Sequence, residues 1–105
     1  MITMVARMRV APENAVAYEE LLDHVTAMTL EHEPGVPYYA WAKSAEDPEV
    51  YVVIEVYRDA TAHAAHMASE WVKSSLPVSR KLISGEFEIR QYVTPGQQPV
   101  ELRHG

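Results

Sequence analysis

The chain contains no cysteine, and that absence removes disulfide frameworks, thiolate zinc sites, iron–sulfur clusters and cysteine nucleophiles together. Glycine is scarce as well, 4 in 105 residues, and no glycine-rich phosphate loop, nucleophile elbow or H-E-x-x-H motif occurs. A nucleotide cofactor has no evident cradle. Positive charge is in deficit: 9 Lys and Arg stand against 15 Asp and Glu, giving a net charge of −6 with no basic stripe. Such a chain repels a phosphate backbone, so nucleic acid is not an expected partner. Long apolar runs are missing too. Hydrophobic residues make up 48% of the chain, yet no run approaches the roughly 20 residues needed to cross a bilayer. The opening MITMVARMRV lacks the basic region, apolar block and cleavage site of a signal peptide. A soluble, cytoplasmic protein with no membrane partner is the expectation.

The patterning that is present predicts one domain over residues 1–93 and a C-terminal arm over 94–105, polar and unpatterned around Pro95, Gly96 and Pro99. Ile2 to Val10 alternates with the period of a strand. Pro12 suits a first helical position, and Tyr18, Leu21, Leu22, Val25, Met28 and Thr29 share one face of a helix from Pro12 to His32. Glu33-Pro34-Gly35 ends it, because the residue before proline is pushed out of the helical region and glycine tolerates a left-handed turn. A second strand, Val36 to Ser44, leads through the acidic turn Ala45 to Glu49 into the β-rich run Tyr51 to Tyr57. Asp59 is a candidate N-cap for a helix from Ala60, and Ser69 for its restart toward Leu76. Pro77 is expected to break or kink this region, a short helical turn to span Val78 to Ile83, and a fourth strand to run from Glu86 to Val93.

The order β-α-β-β-α-β is that of an α+β, ferredoxin-like fold, an antiparallel sheet with helices on one face. In the third strand Val50, Val52, Ile54 and Val56 lie on one side, and Tyr51, Val53 and Tyr57 on the other. Neither side reads as solvated, which suggests a homodimer with the two sheets facing each other. The arm could reach across that interface.

Glu55 sits mid-strand between valine and isoleucine, where a carboxylate must be paired, protonated or lining a cavity. A salt bridge to Arg7, Arg9 or Arg90 is the plain structural alternative to a catalytic role. His63 and His66 lie about 60° apart around the following helix and can face one cavity, suited to taking and returning a proton near neutrality. The line Ala60, Ala64, Met67 makes His63 the inward one by periodicity alone. Two histidines three apart with one distant carboxylate make a weaker metal pattern than an i, i+4 pair, so no metal is expected. Tyr38, Tyr39, Trp41, Tyr57, Trp71 and Phe87 are core, interface or walls of a flat pocket. His24 and His104 read as exposed or terminal, and His32 as a helix-end residue.

Glu33-Pro34-Gly35, Tyr39, Lys43 to Pro48, Val53 to Tyr57 and His66-Met67-Ala68-Ser69-Glu70-Trp71 together resemble the antibiotic biosynthesis monooxygenase, or quinol monooxygenase-like, family over about Met1 to Tyr92. The resemblance implies a dimeric α/β barrel with a pocket between each sheet and its helices. It also implies oxidation of a quinol or anthrone-like phenol by O2 without flavin, haem or metal. His66 matches the histidine of H-x-x-S, which makes it rather than His63 the catalytic candidate, and an interruption at Ser69 would displace the stripe estimate by a residue or more. Glu55 matches the strand glutamate that partners it; Tyr39, Trp41, Tyr57, His63 and Trp71 are the implied substrate pocket. Haem-degrading relatives carry an asparagine on the first strand and a later histidine, where this chain has Arg7 and Leu76-Pro77. The alternatives on the same fold are a non-catalytic dimeric module binding an aromatic ligand, or a small-molecule isomerase.

Overall fold

The computed structural model describes residues 1–85 and 87–102. Four strands form one antiparallel sheet in the order β2-β3-β1-β4: β1 (Ile2–Arg9), β2 (Tyr38–Lys43), β3 (Val50–Tyr57) and β4 (Glu88–Val93). A short 3-10 turn, Pro12–Asn14, opens α1 (Ala15–His32); α2 (Ala60–Ala68) and α3 (Glu70–Leu82) follow β3. This is the ferredoxin-like arrangement, and its helices cover one face of the sheet.

The alternation in β1 decides which face is covered. Ile2, Met4, Ala6 and Met8 are buried beneath the helices, while Thr3 and Val5 are half-buried and Arg7 and Arg9 exposed on the opposite face. Tyr51, Val53 and Tyr57 of β3 join the covered side, where α1 contributes Tyr18, Leu22, Val25 and Thr29. The register aligns Tyr39, Glu55, Met4 and Gln91 in one row across the covered face, from β2 to β4.

Local signals place the second helical region. The Asp59 side chain accepts the Ala62 N–H at 2.9 Å, capping α2. Ser69 has extended backbone angles, ends α2 and caps α3, its hydroxyl accepting the Val72 N–H while donating to the His66 carbonyl. Pro77 does not divide the region. α3 runs through it to Leu82, the exposed proline forgoing one backbone bond on the solvent side. The fourth strand begins at Glu88, and the expected start at Glu86 lies outside the described residues.

Gly35 also departs from expectation. Its backbone is not left-handed; among the described glycines only Gly85 (φ +73°) and Gly96 (φ +93°) are. Glycine is required at 35 by close approach, since a Cβ there would lie 2.7 Å from the Cβ of Ala62. The turn is thereby docked on α2, and the Arg58 N–H donates to the Gly35 carbonyl at 2.9 Å.

Beyond β4 the chain folds back on its own domain. The Gln91 carboxamide donates to the Val100 carbonyl and accepts its N–H, both at 2.9 Å, and Val100 and Leu102 pack against the core. Residues 103–105, and with them His104, lie outside the described residues. Among the described residues no helix is long and apolar enough to cross a membrane.

Candidate active site

The site begins at the end of α1. The Glu33 N–H closes the last turn onto the Thr29 carbonyl at 2.9 Å, and its own carbonyl accepts the Val36 N–H at 3.0 Å, so the backbone of this residue is held on both sides. An acidic residue at a helix C-terminus opposes the helix dipole, and its carboxylate turns inward instead. Both Glu33 oxygens lie 3.0 Å from His66 Nδ1, and Oε2 accepts the Trp71 indole N–H at 2.8 Å. Both side chains are shielded, His66 at 4% and Glu33 at 9% exposure. A carboxylate only accepts, so the imidazole proton is assigned to Nδ1, and Nε2 of the neutral ring presents a lone pair.

Ala62 and His66 are one turn apart on α2, on the same side of the helix. The Gly35–Ala62 contact that seats the turn therefore also sets the distance between Glu33 and His66. This is the local reason for E-P-G: the glutamate supplies the carboxylate, proline ends the helix, and glycine lets α2 come close.

On the other side of the ring, Nε2 is 4.0 Å from Glu55 Oε1, too far for a hydrogen bond. Glu55 accepts instead from the Tyr57 hydroxyl, two residues along the same face of β3. Burial pushes the Glu55 carboxyl above its ordinary range, and the nearby Glu33 charge adds to this; the Tyr57 hydrogen bond and His66 oppose it only in part. The Tyr57 phenol is pushed far up by burial and by Glu55, so it remains a neutral donor. Tyr39 is raised by burial and by the Glu55 charge. His63 is lowered, first by burial and then by its neighbour His66, which favours its neutral form. The arginine alternatives for Glu55 do not apply: Arg9 pairs with Asp47 at 2.8 Å, Arg90 with Glu88 at 2.6 Å, and Arg7 points from the opposite face of β1.

These groups sit at a cavity of about 550 Å³ between the sheet and the helices. Tyr39, Glu55, His63 and His66 line it, with Met4, Ala6, Met8 and Val53 as its sheet-side floor. His66 is buried and His63 half-buried, edge-on to the Tyr57 ring with centroids 5.1 Å apart. His66 is the deeper of the two because Ala60, Ala64 and Met67 are exposed, and the inward side of α2 is formed by Ala62 and His66, not by that stripe. Tyr57 stands behind Glu55 and outside the lining, its ring 5.4 Å from that of His66. The two tryptophans are also outside it. Trp41 donates to Asp23 at 2.9 Å near the surface, and Trp71 backs Glu33 while stacking on the partly exposed His32 at 5.3 Å. Glu33 was not among the expected site residues. The signal that marks it is its sign: a carboxylate where the helix end favours a cation. Among the described residues no three His, Cys, Asp or Glu side chains are grouped to hold a metal ion.

No protein of curated function matches the chain. Solved structures do. A conserved protein from Methanosarcina mazei Go1 is 27% identical, with a TM-score of 0.82 over 87% of this chain and 89% of that one. A candidate antibiotic biosynthesis monooxygenase from Caulobacter crescentus CB15 is 25% identical, with a TM-score of 0.82 over 87% and 86%. A protein from Pseudomonas aeruginosa is 25% identical, with a TM-score of 0.79 over 89% and 92%. The model of the antibiotic biosynthesis monooxygenase family matches residues 1–75. With both the strand that carries Glu55 and the turn and helix that pair Glu33 with His66 inside that match, the chain belongs to the antibiotic biosynthesis monooxygenase family.

Proposed function

We propose that the protein is a cofactor-independent monooxygenase that oxidises a quinol or anthrone-like phenol with O2. The observation that carries this reading is the Glu33–His66 pair: an imidazole with Nδ1 held by a buried carboxylate, beside an apolar cavity. His66 Nε2 takes the acidic proton of the phenol or of the carbon activated by it, and Glu33 stabilises the imidazolium that results. The electron-rich anion reduces O2, and a carbon–oxygen bond forms to give a peroxide. For a reacting CH2, loss of water then leaves a carbonyl. One oxygen atom stays in the product; the other departs with the two substrate hydrogens, one of them returned from His66. Burial favours the neutral form of Glu55, whose O–H would hydrogen-bond to the reduced oxygen without giving up its proton, and the apolar walls protect the intermediates.

The same reading includes a homodimer. On the uncovered face of the sheet Tyr38, Ala40, Val52, Ile54, Val56, Val5 and Tyr92 make an apolar area, with Tyr38 at 52% and Tyr92 at 55% exposure, and Arg7, Glu88 and Arg90 lie at one end of it. An apolar face of that extent is suited to a second copy of the sheet.

The test is oxygen uptake by the metal-stripped protein with quinols and anthrones, alongside His66→Ala. Protein-dependent uptake that falls by about 10²–10⁴-fold in the variant is expected for loss of a general base. Ligand retention without uptake would indicate a binding module, and product formed under nitrogen an isomerase.

A further inference from the structure

The cavity is chemically lopsided. Its titratable groups gather at one end, where Tyr39 and Glu55 share a row with Met4 and the histidines of α2 stand above. From that row the floor continues along β1 through Ala6 to Met8, four residues or about 14 Å at the rise of a strand. Val72, Leu76 and Ile89 wall this corridor with aliphatic surface. Few hydroxyls line it: Ser75, which already donates to the Val72 carbonyl at 2.9 Å, and Tyr18 and Ser79. Among the described residues charge returns only at the exposed rim, at Arg80 and Glu101, each of which has its own interactions.

A polycyclic phenol with oxygens around its edge would bury several of them along this corridor without partners, a cost of the order of 1–3 kcal/mol for each. A slender aliphatic chain leaves nothing unpaired, and the methionine floor adapts to its shape. The volume of about 550 Å³ suits a ring with a chain attached, within the roughly 300–1,000 Å³ of small-molecule sites. We infer that the ligand is a phenol or quinol bearing a linear alkyl or isoprenoid side chain, its ring against His66 and Glu55 and its chain along Met4, Ala6 and Met8. The inference rests on the proposed oxidation only for the identity of the ring.

The probe is a series of 4-alkylphenols of increasing chain length, with binding measured by calorimetry under nitrogen so that turnover plays no part. Affinity for the unmodified protein is expected to rise by about fourfold per methylene and to level off when the corridor is filled. Ala6→Phe should end the rise at a shorter chain than Met8→Phe, because the two positions are about 7 Å apart along the strand. The wild-type series stands without the variants, and thermal melts check that each variant folds. The inference is overturned by a flat series, by a rise that both variants leave unchanged, or by a hydroxylated tricyclic anthrone that binds more tightly than the longest alkylphenol. Oxygen uptake is measured separately on alkylquinols. Uptake with a flat series removes the side chain and keeps the oxidation; a rising series without uptake keeps the ligand class and removes the oxidation.

Discussion

Replacing Glu33 by Gln tests the centre of the proposed mechanism while keeping shape. The wild-type carboxylate accepts two N–H groups, from His66 at 3.0 Å and from Trp71 at 2.8 Å, and is only 9% exposed. A carboxamide presents one oxygen and one NH2: the oxygen at the Oε2 position keeps Trp71, and the NH2 then meets the His66 Nδ1–H at 3.0 Å, donor against donor unless the imidazole moves its proton to Nε2 and loses the lone pair the reaction needs. An orphaned buried N–H costs about 1–3 kcal/mol. Relief of the carboxylate's desolvation works in the opposite direction. It does not offset this in full, because both donors remain in place and each needs an acceptor. At roughly 4–8 °C per kcal/mol for a domain of this size, Glu33→Gln should lower the melting midpoint by at least several degrees. Oxygen uptake should fall by roughly 10–100-fold, the range typical of a group that orients a functional histidine. Trp71→Phe removes one donor, so Glu33→Gln should cost less stability in that background, with a coupling of about 0.5–3 kcal/mol. A Glu33→Gln protein with the wild-type midpoint and rate would refute the argument.

Glu55→Gln keeps an acceptor for Tyr57 and removes a titration. A carboxyl raised in the folded chain binds its proton more tightly than in the unfolded chain, so its favourable contribution is complete below the ordinary carboxylate range and is lost as pH rises through the raised value. The variant should therefore melt a few degrees above wild type near about pH 8, and the difference should close near about pH 4; a pH-independent gap would count against burial as the cause. Gly35→Ala drives a methyl into Ala62, with an expected loss of about 1–3 kcal/mol in chemical denaturation and a lower turnover as α2 shifts. Adding Ala62→Gly should recover part of both, and no recovery would mean the contact is not what seats α2. Ile54→Lys places a charge at the middle of the uncovered sheet face, and sedimentation should show a shift from dimer to monomer. A variant that sediments as wild type would move the interface elsewhere.

Much of this architecture is written in short-range pattern. The alternation in Ile2 to Val10 and the β-branched run before Tyr57 specify their strands because neighbouring side chains must point to opposite faces. Asp59 and Ser69 mark helix starts because a cap acts within three residues of itself. The H-x-x-S motif marks His66, and a charge among β-branched neighbours marks Glu55. What the motif left unstated is the partner. Glu33 meets His66 across 33 positions, and only the docking of the α1 turn on α2 brings them together. Pro77 reads locally as a stop, yet α3 continues because the forfeited bond faces solvent. Trp41 and Trp71 read as pocket walls by residue type, but their indole N–H groups turn to Asp23 and Glu33. Strand period, caps and the covered face were thus determined by the sequence itself, through interactions confined to a few residues. The carboxylate–imidazole pair and the shape of the cavity were decided by tertiary structure, since both depend on groups distant in the chain being packed within hydrogen-bonding reach.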